Sequence, residues 1–133
     1  MYYADPNRCD QQGNSPLLYA CRNRNMTLVE SLLKFNANPN IKDGHGNTPL
    51  MAACINGSDE FVKRLQKAGA DIDDVNNHQD SALILACINK HYDVINTLLY
   101  FNANVFVTNS DGVKALDIAK DDSRLEMMLH SYF

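Results

Sequence analysis

The sequence predicts an all-α solenoid of stacked helix-turn-helix units, and three observations predict it. The 133 residues align with themselves at a period of 33. Each period carries the apolar pattern of two short helices, and a polar, turn-rich link separates each period from the next. Rows starting at Ser15, Thr48, Ser81 and Lys114 read SPLLYAC, TPLMAAC, SALILAC and KALDIAK. Leu17, Leu50, Leu83 and Leu116 fall in register, as do Ala20, Ala53, Ala86 and Ala119. Further along, Leu28, Phe61 and Val94 coincide, then Val29, Val62 and Ile95, then Leu32, Leu65 and Leu98, and Ala37, Ala70 and Ala103 close the rows.

Each row can be justified element by element. Ser15, Thr48 and Ser81 can cap a first helix through their hydroxyls, and Pro16 and Pro49 stand in the first turn, where a missing N–H costs nothing. The second helix carries apolar residues at i, i+1, i+4 and i+5, as in Leu28, Val29, Leu32 and Leu33, which paints one face. It stops at Asn36, Gly69 or Asn102, residue types that tolerate the left-handed backbone of a helix end. The link follows, clearest as IKDGHGN over residues 41–47. Ala4, Asp5, Pro6 and Asn7 with Asp10 repeat Ala37, Asn38, Pro39 and Asn40 with Asp43 at the same offset, so the chain opens within the last loop of a repeat. The fourth row carries Asp117, Asp121 and Asp122 and a short second helix around residues 124–130 before Phe133, the polar irregularity of a solenoid cap. The expected division is one domain over residues 1–133: a lead-in at 1–9, repeats at 10–42, 43–75 and 76–108, and a capping repeat at 109–133.

This pattern resembles the ankyrin repeat, whose period is 33 and whose signature begins Thr-Pro-Leu-His-x-Ala. The second repeat, DGHGNTPLMAACINGSDEFVKRLQKAGADID, matches best, with Met51 where the family usually has His. The resemblance spans residues 4–129. It implies antiparallel helix pairs stacked side by side, β-hairpin-like loops projecting from them, and a role in binding other proteins without catalysis. It also implies that His91 ties the start of its second helix to neighbouring loops.

Composition agrees with a soluble interaction module. Twelve Lys and Arg against sixteen Asp and Glu give a net charge of −4, which offers no general attraction to nucleic acid or an anionic membrane. The longest apolar run, residues 82–88, is far short of the roughly 20 residues that span a bilayer. Residues 1–66 carry seven basic and six acidic side chains, residues 67–133 five and ten, so the chain is electrically polar along its length.

The residues that invite chemistry have simpler roles. Cys21, Cys54 and Cys87 recur at one place in successive repeats, where stacked helices would separate them by about 8–10 Å. That is too far for a disulfide or a shared zinc ion, so they read as buried thiols of a cytoplasmic, reducing setting. Cys9 lies in a loop, exposed. His45 and His78 match in successive loops, with only Asp43, Asp80 and asparagines nearby, and read as surface hydrogen-bonding residues rather than metal ligands. No phosphate loop or carboxylate pair points to catalysis, and no cofactor is called for.

The partner is expected on the surface that the resemblance implies is concave. The hairpin tips Gln11, Gln12 and Asn14, then His45 and Asn47, then Asn77, His78 and Asp80, then Asp111 are candidates. So are two ladders at the ends of the first helices: Arg22, Ile55, Ile88 and Asp121, and beside it Asn23, Asn56, Asn89 and Asp122. Ile55 and Ile88 either pack on adjacent loops or form an apolar strip with an amide flank. Arg22 and Arg24 at one end and Asp121 and Asp122 at the other would orient an acidic and a basic portion of the partner. The alternatives are a targeting arm of a larger enzyme or effector, favoured by the start within a repeat, and a freestanding occluding inhibitor. Leu18, Tyr19 and Leu28 belong to an interior type of repeat, so weak self-association or fraying is expected at that end.

Overall fold

The computed structural model describes residues 5–131, so residues 1–4 of the lead-in and residues 132–133, Phe133 among them, lie outside the described residues. Within that range the chain forms four helix pairs: α1 (Pro16–Arg22) with α2 (Met26–Lys34), α3 (Pro49–Asn56) with α4 (Asp59–Lys67), α5 (Ala82–Ile88) with α6 (Tyr92–Tyr100), and α7 (Ala115–Ile118) with α8 (Ser123–His130). A single 3-10 turn, Ala119–Asp121, links the last two. Ser15, Thr48 and Ser81 accept hydrogen bonds from the backbone N–H of Leu18, Met51 and Ile84 at 3.1, 3.2 and 3.2 Å, which caps each first helix. In the last pair Lys114 replaces the hydroxyl residue, and Asp117 accepts from the Lys114 N–H instead.

The first helices stack as one layer, α1 on α3, α3 on α5 and α5 on α7; α4, α6 and α8 form the second. Ala20, Ala53, Ala86 and Ala119 are buried where the helices approach, and the absence of a larger side chain permits that approach. Leu17, Leu50 and Leu83 fill the space beside them, and Leu18, Met51 and Ile84 form a second fully buried column. Met51 therefore continues an apolar column at the place where the family usually has His. Asn36, Gly69 and Asn102 take φ of 65°, 95° and 66°, the left-handed ends the sequence calls for. Arg24 and Lys90 also adopt positive φ, of 55° and 54°, at the turn where the second repeat has Gly57.

The first repeat differs from the others. α2 packs on α1 but stands off α4, bridged by a 3.0 Å ion pair between Glu30 and Arg64. Leu28 is 40% exposed, whereas its equivalents Phe61 and Val94 are buried, and Phe35 beyond the helix end is 70% exposed. Leu18, expected to lie open at this end, is instead fully buried, in the same column as Met51 and Ile84, while Tyr19 is 42% exposed.

Candidate protein-interaction face

The links between repeats are hairpins built around one acceptor each. Asp10, Asp43, Asn76 and Asn109 stand at intervals of 33, and the Oδ1 of each accepts two backbone N–H groups from its own tip. Neighbouring tips are joined by backbone bonds of 3.0 Å: Gly44 N–H to the Gln12 carbonyl, Asn77 N–H to the His45 carbonyl, and Ser110 N–H to the His78 carbonyl. Side chains add a parallel row. Asn76 donates to Asn47 at 3.0 Å, Asn109 to Asp80 at 2.9 Å, and Asn77 to the Gly44 carbonyl at 3.1 Å. Asn47, Asn76, Asn77 and Asn109 thus hold the loops in register, which leaves the tips little conformational freedom to lose.

The expected site residues divide by what they touch. Gln11, Gln12, Asn14, Arg22 and His45 line one cavity of about 470 Å³ between the first two tips and the end of α1. Arg22, Asn47, Ile55 and Asn56 share a smaller one of about 120 Å³. Ile55 and Ile88 are 42% and 53% exposed. Further along, His78 Nε2 lies 3.0 Å from Asp111 Oδ2, which ties the third and fourth tips together. Asn23 and Asn89 are exposed at helix ends; the Asn89 amide donates to the Leu85 carbonyl of its own helix at 2.8 Å.

Other polar residues face inward or backward. Asp80 is buried, holding Asn109. The Asn56 amide reaches back to the carbonyls of Cys21 and Arg22, at 3.2 Å each. Asp122 caps α8 and accepts from the Tyr92 hydroxyl. Arg22 lies 2.6 Å from the carboxylate of Asp43, whose side chain is only 2% exposed, and also donates to Asn14 at 3.0 Å. Arg24 donates to the Asn56 carbonyl. Both arginines are therefore committed to bonds within the solenoid; Asp43 offsets the charge of Arg22, while Arg24, bonded to a neutral carbonyl, keeps its charge at that end of the groove.

Several of these contacts are not visible in the 33-residue register. The hydroxyl of Tyr19 donates to Asp10, and this bond, with the Asn14 N–H, holds the Asp10 carboxyl down at a pKa of about 2. Cys21 and Cys87 are pushed up to about 12 by burial, and Cys54 is raised for the same reason. Cys9 is exposed. Among the described residues no group of three His, Cys, Asp or Glu side chains converges as metal ligands would, and no helix is long and apolar enough to cross a membrane.

A comparison with curated proteins finds no match. The model of the ankyrin-repeat family matches three overlapping stretches, residues 2–76, 25–111 and 52–129. Ankyrin repeats are generally protein–protein interaction modules, typically without catalysis. With paired helices at the predicted spacing, capped and joined by interlocked hairpins, and matches running from residue 2 to residue 129, the chain belongs to the ankyrin-repeat family.

Proposed function

We propose that this chain is a non-catalytic, cytoplasmic module that binds a protein partner across its hairpin tips and the ends of its first helices. The observation that carries the reading is the pair Ile55 and Ile88, exposed at equivalent positions and bordered by loops already fixed by hydrogen bonds. Exposed apolar residues with a polar border are the composition of a contact centre and its rim. The rim comprises Gln11, Gln12, Asn14, His45, Asn47, Asn77, His78 and Asp111, with Arg22, Asn23, Asn56 and Asn89 along the helix ends. Asp80 contributes by holding Asn109 rather than by touching the partner. The repeat divisions at 10–42, 43–75 and 76–108, with the cap at 109–133, are part of the same reading, and the three buried thiols support a reducing compartment. Weak self-association through the first repeat is supported by the exposure of Leu28 and Phe35.

A photoreactive phenylalanine at position 88 tests this. Crosslinks to one protein from position 88, with none from position 127 on α8, support the reading. Crosslinks from position 127 alone contradict it.

A further inference from the structure

The opposite face, made by the second helices, carries a separate feature. Two grooves run between these helices, one of about 360 Å³ between α2 and α4 and one of about 430 Å³ between α4 and α6. They share Arg64 and Lys67 as a common wall. Lys34 and Lys67 occupy equivalent positions, 33 apart, in the last turns of α2 and α4, where the third repeat has Tyr100. Tyr100 is 75% exposed, and its ring meets that of Phe101 edge to face at 5.3 Å.

The charges on this face are unequal in their commitments. Lys63 is engaged by Asp59 at 3.2 Å and Glu60 at 3.6 Å, and Arg64 by Glu30 at 3.0 Å. Lys34 and Lys67 have no carboxylate within 4 Å among the described residues. A protein of net charge −4 thus presents a strip with two cations that lack a carboxylate partner, beside the exposed ring of Tyr100 and the half-buried ring of Phe101.

From this we propose that the grooves between α2, α4 and α6 form a second docking surface, whose occupant is an acidic protein segment bearing aromatic or aliphatic residues. Its carboxylates would meet Lys34 and Lys67, and its apolar side chains Leu33, Tyr100 and Phe101. Charge complementarity selects the acidic partner. The recessed grooves favour a narrow peptide over a flat lipid surface.

The probe is a fluorescent synthetic peptide of repeating Glu-Glu-Phe, titrated into the whole chain by anisotropy at low and physiological salt. The expected result is saturable binding that weakens as salt rises. A Lys34→Gln, Lys67→Gln protein with an unchanged melting curve should bind at least tenfold more weakly, whereas Lys120→Gln and the Ile55→Ser, Ile88→Ser pair should not change it. Equal binding of a Lys-Lys-Phe peptide would overturn the proposal, as would indifference to Lys34 and Lys67. Tighter association with phosphatidylserine vesicles than with the peptide would overturn it in favour of a membrane. Loss of peptide binding in the Ile55, Ile88 pair would move the segment to the first-helix face. Because that pair and the lysines lie on different faces, this proposal and the one concerning the first helices can fail separately.

Discussion

The imidazole of His91 occupies the space that a side chain at Gly57 would need. Its Nε2–H donates to the Ile55 carbonyl at 2.9 Å, which closes the end of α3, and a Cβ built on Gly57 would stand 2.6 Å from His91 Nδ1. Gly57 also takes φ of 71°. The role that the family resemblance implies for His91, tying its helix to a neighbouring segment, therefore depends on a glycine one repeat earlier. Gly57→Ala should cost about 2 kcal/mol or more, the sum of left-handed strain and displacement of the ring. Gly69→Ala, with φ of 95° but nothing within 4 Å, should cost only about 1 kcal/mol. In chemical denaturation, equal costs for the two would refute the packing argument, and adding His91→Ala should recover part of the Gly57→Ala loss.

Leu83→Ala removes a fully buried side chain from the column between stacked first helices. The expected cost is roughly 2–5 kcal/mol. With nearest-neighbour coupling, most of the chain should unfold together. A protein melting within a degree of the parent would contradict the assigned register.

Arg22→Leu should destabilise by about 1–3 kcal/mol, because it leaves the buried Asp43 carboxylate without its cation. Lys63→Met breaks exposed pairs and should change stability by less than about 1 kcal/mol. Similar losses from both would show that Arg22 acts as an ordinary surface residue.

Asp10 has its pKa held at about 2, below its value in the unfolded chain, so its contribution to stability is present above the ordinary carboxylate range and lost as pH falls through about 2. Tyr19→Phe removes the largest cause, and carbon-detected titration should show the Asp10 midpoint move upward. An unmoved midpoint would exclude the Tyr19 hydroxyl as the cause.

Thiol chemistry reads burial directly. Of the four cysteines, Cys9 alone is exposed. A disulfide reagent near pH 8 should modify one thiol per folded chain and four after denaturation. Rapid modification of Cys54 in the folded state would contradict its burial.

The parts of this structure legible in the sequence are those fixed by one residue type in one column. The Leu, Ala and Cys columns, the hydroxyl caps and the left-handed ends at Asn36, Gly69 and Asn102 all express a local requirement repeated every 33 residues. Polar side chains are less legible, because a register identifies equivalent positions without saying which repeat a side chain turns toward. Asn56 turns back to the carbonyls of α1, while Asn89, its equivalent, bonds within its own helix. Arg22 reads as a free charge until Asp43 is found buried beside it. Arg24 and Lys90 take a left-handed turn that composition would assign to Gly or Asn.

On the proposed function, a protein partner is held by the apolar strip at the ends of the first helices. The measurement that tests it most directly is the affinity of the crosslinked partner for the Ile55→Ser, Ile88→Ser chain, by calorimetry beside a melting curve. Ile55 and Ile88 are both about half exposed, so the variant should fold as the parent does. Binding should weaken by more than about 1 kcal/mol, roughly fivefold in Kd. Unchanged affinity in a folded double variant would contradict it.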